Sequence, residues 1–132
     1  MSEVVFHRLD YEGVLRRLRQ HAADLGARPE VREVILVGSL AHETWSAGSD
    51  ADLVVVVDRD DDPGPFRGPK YTPTGIGVGV DVRVYTPAEA AGWSSRFRSE
   101  VERGLVLYRR DGPAPGTGRR GDPAERGRVP RQ

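Results

Sequence analysis

With 132 residues, the chain has room for one domain with a modest core, and without cysteine it excludes disulfides and thiolate metal sites. Its 20 basic and 20 acidic residues cancel, so no net field draws it to nucleic acid or to an anionic membrane surface. No apolar run is long enough to span a bilayer, and we expect a cytoplasmic protein.

A helix and a buried strand are predicted in the first third of the chain. Apolar residues recur at helical spacing over about 10–25, which predicts an amphipathic helix. The β-branched run Val31–Val37 predicts a buried strand that ends in the turn Gly38-Ser39. Residues 40–49 are small and polar, which indicates a short helix and a loop.

A second strand and a long loop follow. Asp52–Val57 is apolar on both faces, which predicts a central strand. The acidic run that begins at Asp58 favours a solvated turn, and the stretch to Gly75 has the proline and glycine content of a loop. Within that loop we expect Arg67, Lys70 and Tyr71 to lie on the surface, although each could also reach a triphosphate or a base.

In the last third of the domain, apolar and polar residues first alternate, and a helical pattern follows. Valines at every second position over 78–84 predict a third strand. Thr86-Pro87-Ala88-Glu89 carries a capping box, which predicts a helix that ends near Gly104 and is followed by a short strand, Leu105–Tyr108. We therefore expect one domain over 1–110, and a disordered tail rich in Gly, Pro and Arg over 111–132.

Three acids stand out among the strand residues. Asp50 and Asp52 are two positions apart at the head of a strand, so their side chains face the same way. Paired carboxylates repel each other, and a divalent cation with oxygen ligands removes that penalty. Asp81 is a further acid within a valine-rich strand. It would lie beside the first two if the two strands pair.

The turn Gly38-Ser39 adds candidate phosphate-binding groups to this site. Glycine permits a tight bend and close backbone approach. The bend can aim N–H groups and the serine hydroxyl at phosphate oxygens. Metal-binding acids and phosphate donors at neighbouring strand ends indicate phosphoryl or nucleotidyl transfer.

The spacing of these residues resembles a known signature. Gly38-Ser39, the ten residues Leu40–Ser49 and then Asp50-Ala51-Asp52 match the pattern of the DNA polymerase beta-like nucleotidyltransferase superfamily. Asp81 resembles the third carboxylate of that family, and the resemblance covers roughly residues 10–108. The chain most resembles the minimal nucleotidyltransferases, which lack a separate substrate domain and commonly act as antitoxins beside HEPN-type ribonuclease toxins.

The resemblance implies an α+β fold in which a mixed sheet is flanked by helices. It implies two Mg²⁺ ions and ATP at the site, with Asp50 and Asp52 bridging both ions. Asp81 would bind the ion that activates the acceptor hydroxyl. Attack on the α-phosphate would then leave AMP on the acceptor, which in the antitoxin branch is a toxin tyrosine.

One departure from the family pattern leaves alternatives open. Many members carry Ala-Arg-Gly where this chain has Ala41-His42-Glu43, so a cation near the phosphates is missing and a negative charge is added. His42 could replace the arginine as a phosphate donor. The alternatives are a catalytically weak antitoxin that neutralises its partner by binding, and a small-molecule enzyme of the aminoglycoside-modifying kind in which a homodimer completes the acceptor pocket.

Overall fold

The computed structural model describes residues 10–42, 44–46 and 48–110. The tail predicted over 111–132 lies outside the described residues, and so does Glu43. No helix in the described part of the chain is both long enough and apolar enough to cross a membrane. The elements in chain order are α1 (Tyr11–Gly26), β1 (Val31–Val37), a 3₁₀ turn (Ser39–Ala41), β2 (Ala51–Val57), α2 (Gly64–Arg67), a second 3₁₀ turn (Gly68–Tyr71), β3 (Val80–Tyr85), α3 (Pro87–Ala91), α4 (Ser95–Glu102) and β4 (Leu105–Arg109).

The four strands form one mixed sheet in the order β3-β2-β1-β4. β1 pairs antiparallel with β2 and with β4, whereas β2 and β3 run parallel. The predicted α+β architecture is confirmed, and so is the central position of the strand that begins near Asp52. β3 and β4 are the two edges of the sheet.

Both faces of the sheet are covered by apolar side chains. On one face, α1 packs its buried residues, such as Leu18, against alternate strand residues that include Leu36 and Leu53. On the other face, Val101 of α4 packs in a second cluster that includes Val54. Because side chains alternate along a strand, β2 contributes to both clusters, which explains its continuous apolar sequence.

The predicted single helix after β3 is wrong, since two helices occupy this stretch. The capping box of Thr86 and Glu89 is present and starts α3, but that helix ends at Ala91. Ser94 then accepts a hydrogen bond from the backbone N–H of Phe97 and caps α4. A serine side chain that bonds a backbone N–H two or three residues ahead starts a new helix more readily than it continues an old one.

The expectation that Arg67 and Tyr71 lie on the surface in the loop before β3 is also wrong, since Tyr71 is only 3% exposed and belongs to the core under α1. Arg67 is buried and holds three parts of the chain together. Its guanidinium donates to the backbone oxygens of Asp62 (2.8 Å) and Asp60 (3.0 Å), and to the carboxylate of Glu89 (2.6 Å). This hydrogen bond holds the pKa of Glu89 below its ordinary value. Two short helical turns therefore replace the irregular loop predicted here.

The acidic run is not a solvated turn throughout. The side chain of Asp60 is only 3% exposed, and its carboxylate accepts a hydrogen bond from Lys70 at 2.8 Å. Burial raises the pKa of Asp60, but the hydrogen bond from Lys70 and the backbone bond from Asp62 outweigh it, and the pKa falls below its ordinary value. Arg67 and Lys70 are thus engaged in holding this loop.

We expect Arg67→Met to destabilise the fold by about 2–3 kcal/mol, because it leaves Glu89 and two backbone oxygens without their charged donor. Urea unfolding followed by circular dichroism measures the change. Arg59→Met is the matched control, since the Arg59–Asp61 pair is about four-fifths exposed and its loss should cost less than about 0.5 kcal/mol. Equal losses in the two variants would contradict the structural role of Arg67.

Candidate functional site

The sheet register brings the predicted site residues to one edge of the fold. Asp52 pairs with Val37, the last residue of β1, and on its other side with Asp81 of β3. Residues directly opposite each other in neighbouring strands project to the same face. The side chains of Asp52 and Asp81 therefore stand next to each other on the face that α4 covers further along.

Asp50 lies just before β2 and packs against the start of β3. Its carboxylate oxygen is 3.0 Å from the position that a Cβ atom on Gly79 would occupy. The backbone N–H of Ala51 donates to the oxygen of the same glycine at 2.8 Å and fixes the entry to the strand. Glycine at position 79 thus gives the carboxylate of Asp50 room beside the sheet.

Gly38 brings the turn after β1 into contact with Asp52. Its backbone angles, φ 83° and ψ −160°, lie in a region that is essentially confined to glycine. A Cβ atom here would lie 2.8 Å from a carboxylate oxygen of Asp52. Both the conformation and the close approach therefore require glycine at this position.

The serine of the turn is engaged within the protein. The hydroxyl of Ser39 donates to that of Ser49 at 3.0 Å, and Ser49 also accepts the backbone N–H of Ser46 at 2.9 Å. The first bond of the 3₁₀ turn is donated by Ala41 to Gly38, so the preceding N–H groups have no partner within the turn. Those N–H groups can face a phosphate, whereas the hydroxyl of Ser39 has to rotate before it donates to one.

The electrostatic environment of Asp52 disfavours its charged form. Burial raises the pKa of its carboxyl, and the charges of Asp81, Asp50 and Glu100 raise it further, against the opposing effect of Arg83. The three acids singled out in the sequence thus interact through space. A carboxylate in such a cluster gains from a cation that binds it directly.

A divalent cation fits these carboxylate donors, although the acids alone do not form a complete coordination shell. Among the described residues, no group of three acidic, histidine or cysteine side chains converges tightly enough to hold an ion alone. Magnesium commonly takes one or two carboxylates from the protein and completes its shell with water and substrate phosphates. The pair of Asp52 and Asp81, with Asp50 nearby, has the oxygen chemistry for an ion that arrives with phosphates.

Two residues near the acids were not predicted from the sequence. Arg83 and Glu100 line, with Asp52 and Phe97, a small pocket of about 130 Å³ below the carboxylates. The Nε atom of Arg83 lies 3.6 Å from a carboxylate oxygen of Asp81. The signal for Arg83 was its spacing, because residues two apart in a strand share a face.

Trp45 and His21 make contacts that stabilise the fold, whereas His42 lies at the surface. Trp45 stacks on Tyr11 with ring centroids 4.9 Å apart, and both rings pack against the core. His21 lies 2.7 Å from the backbone oxygen of Tyr71, a contact that ties α1 to the second 3₁₀ turn. His42 is exposed just after the first 3₁₀ turn, so its suggested role as a phosphate donor stays a prediction.

Comparison with known proteins agrees with this fold. The family model described as a nucleotidyltransferase domain matches residues 15–107, which include all of the candidate site. A crystal structure of a candidate nucleotidyltransferase from Sulfolobus solfataricus is similar in fold, with a TM-score of 0.51 and 19% sequence identity. The match covers 75% of this chain and 86% of that chain. No curated protein sequence matches the chain significantly.

We expect Gly38→Ala to cost about 1–3 kcal/mol of stability and to displace the carboxylate of Asp52, because the added Cβ meets both strain and a close oxygen. Gly48→Ala is the matched control in the same loop, where a Cβ meets nothing within 4 Å. Urea unfolding of both variants tests the difference. A stability of Gly38→Ala equal to that of Gly48→Ala would show that the bend tolerates a side chain.

The raised pKa of Asp52 predicts a pH-dependent penalty in the metal-free protein. The pKa of Asp52 in the unfolded chain is near 3.8. The free energy of unfolding therefore falls as pH rises from 3.8 through the higher pKa of the folded state, and the full penalty is present at neutral pH. Asp52→Asn should therefore be more stable than wild type at pH 7, with the gap closing below about pH 4.

Asp60→Asn provides a control of opposite sign for that experiment. The pKa of Asp60 is lowered in the fold, so its charged form stabilises the protein above the unfolded pKa, and this contribution is lost in acid. The variant should be less stable than wild type at pH 7. Thermal unfolding at pH 4 and pH 7 measures both variants, and a destabilised Asp52→Asn at pH 7 would contradict the crowding of charge at the site.

Proposed function

We propose a specific activity for this chain, which belongs to the nucleotidyltransferase domain family. Nucleotidyl transfer is the general reaction of that family. The activity proposed is Mg²⁺-dependent transfer of AMP from ATP to a hydroxyl group on a protein partner, a HEPN-type toxin. A reaction that consumes ATP on such a partner is consistent with the cytoplasmic location expected from the sequence.

One observation carries the proposal, namely the register that sets Asp52 opposite Asp81 beside the bend at Gly38. This arrangement supports a site in which acids and phosphate donors face the same substrate. Crowding of the acids supports a role for a cation, because the pKa of Asp52 is raised by burial and by its acidic neighbours.

In the proposed reaction, each group near the bend has a distinct role. Asp50 and Asp52 would hold two Mg²⁺ ions, and Asp81 would hold the one nearer the acceptor. The bound ions would neutralise phosphate charge and lower the pKa of the acceptor hydroxyl. The backbone N–H groups that follow Gly38 would orient the triphosphate.

The bond changes in this reaction balance without a further reactant. The acceptor oxygen forms a bond to the α-phosphorus, and the bond from that phosphorus to the bridging oxygen breaks. Pyrophosphate leaves with the electron pair of the broken bond. The proton of the acceptor hydroxyl passes to the carboxylate of Asp81, which lies on the exposed edge strand where an acceptor can approach.

A protein acceptor is supported by the size of the domain. The described residues form a single sheet with its flanking helices, and they include no second domain to shape a small-molecule pocket. The side chain of Asp81 is 61% exposed at the edge of the sheet. A protein surface, from a toxin or from a second copy of the chain, can cover such an open site.

The second candidate function is neutralisation of a partner by binding alone. Exposed His42 stands where many relatives carry an arginine, and this observation favours slow chemistry. Under this alternative, Asp52→Asn still neutralises the toxin and co-purifies with it. Under the enzyme proposal, the same variant loses neutralisation while it retains its fold.

Transfer from labelled ATP is the direct test. The protein, Mg²⁺ and a HEPN-type partner protein are incubated with ATP labelled at either the α- or the γ-phosphate. We expect the α label to appear on the partner, the γ label to leave as pyrophosphate, and Asp52→Asn or Asp81→Asn to reduce labelling at least a hundredfold.

Asp24→Asn is the control for this assay, because that side chain lies on α1 and bonds Gln20 on the helix surface. Its labelling should equal that of wild type. Labelling of the partner by the γ-phosphate would replace the proposal with phosphoryl transfer. Equal labelling by wild type and Asp52→Asn would exclude the site as the source of the activity.

A further inference from the structure

The acid cluster contains one cation that the proposed mechanism does not use. Among the described groups that act most strongly on the carboxyl of Asp52, Arg83 is the one positive charge, while the others are acids: Asp81, Asp50 and Glu100. Arg83 and Glu100 also line the small pocket below Asp52. In this state of the protein, a single guanidinium therefore offsets the repulsion among several carboxylates.

The contact between Arg83 and Asp81 is loose. At 3.6 Å, the Nε–oxygen distance is too long for a hydrogen bond, and no side-chain hydrogen bond of Arg83 is present within the described residues. Both side chains are more than half exposed, at 58% for the arginine and 61% for the acid. An ion pair with this exposure contributes little stability and is readily displaced.

The position of Arg83 on the strand keeps it near the acid it faces. Both residues belong to β3 and share a face, so the guanidinium cannot leave the neighbourhood of Asp81 without a change of rotamer. An arginine keeps its charge at every pH at which the protein is folded. Arg83 therefore competes with any cation that approaches the carboxylate of Asp81.

We propose that Arg83 competes with the divalent cation for Asp81 and sets the metal concentration at which the site fills. This inference rests on the proposed function, because it assumes that the cation binds at these acids. Arg83 is a positioning residue here. Its guanidinium lies beside the carboxylate when no ion is bound and is displaced when an ion binds.

The size of the effect follows from the exposure of the pair. Exposed ion pairs contribute at most about 1 kcal/mol, which corresponds to a factor of about five in a binding constant. A divalent ion that coordinates the carboxylate directly can overcome such a competitor. Arg83 should therefore shift metal binding without preventing it.

Binding of Mn²⁺ alone, with no nucleotide, tests the inference. Free Mn²⁺ is measured by its electron paramagnetic resonance signal during titration of the folded protein. We expect Arg83→Gln to bind Mn²⁺ about two- to fivefold more tightly than wild type. Arg83→Lys, which retains the charge, should stay close to wild type.

Arg109→Gln is the matched control for the loss of charge. Arg109 lies on the opposite edge strand and pairs with Glu33 at 2.8 Å, so its removal also breaks a surface ion pair and lowers net charge by one. Its affinity for Mn²⁺ should equal that of wild type. In an Asp81→Asn background, Arg83→Gln should give a clearly smaller gain, because the carboxylate it faces is absent and only its weaker effect on Asp52 remains.

Several outcomes would overturn the inference. These are equal or weaker Mn²⁺ binding by Arg83→Gln, an equal gain in Arg109→Gln, or a gain of undiminished size in the Asp81→Asn background. Absence of Mn²⁺ binding in every variant would also overturn it, together with the proposed metal site. Absence of AMP transfer with the predicted Mn²⁺ shift intact would overturn the proposed reaction and leave the role of Arg83 supported.

Discussion

Crowding of carboxylates at the end of a buried strand is the constraint on which the rest of this structure depends. Asp52 lies at the point where β2 passes from the core to the surface, with Asp81 opposite it and the bend at Gly38 against it. Loss of water and repulsion between like charges both oppose ionisation of its carboxyl. The fold must hold these groups together against that repulsion, so the supporting elements must be rigid.

The sheet meets this requirement by making β2 its most buried strand. Val54 and the alternate residues of β2 pack under α4, whereas Leu53 and its alternates pack under α1. A shift of register by one residue would therefore carry the carboxylate of Asp52 to the face that packs under α1, where its charge would be buried. The helix that covers the lower part of the face also brings Glu100 toward Asp52. The packing that fixes the site therefore adds to its negative charge, and a cation is needed close by.

Local patterns predicted the elements that are governed by periodicity. α1, β1 and β2 follow from the spacing of apolar residues, and the adjacency of Asp81 to Asp52 followed from a family motif. Features that depend on distant partners were missed. Arg67 and Glu89 are 22 positions apart in the sequence. No local pattern indicates that Arg67 is buried and forms an ion pair with Glu89. The break between α3 and α4 was missed as well. Ser94 caps α4 only because the backbone turns before it, and the spacing of apolar residues does not indicate that turn.

The location of the positive charge decides which state of the site is stabilised. Many members of the family pattern that this sequence resembles carry an arginine in the turn after β1, where this chain has the exposed His42. Near the acids of this chain, the cation is Arg83 on β3. A cation on the turn faces substrate phosphates, so it stabilises the loaded state. A cation on the strand faces the acids, so it stabilises the state without metal. Arg83 therefore lowers the energy of the empty site relative to the loaded one. On this argument, the acids tolerate their own repulsion between rounds of binding, at the expense of a higher metal requirement.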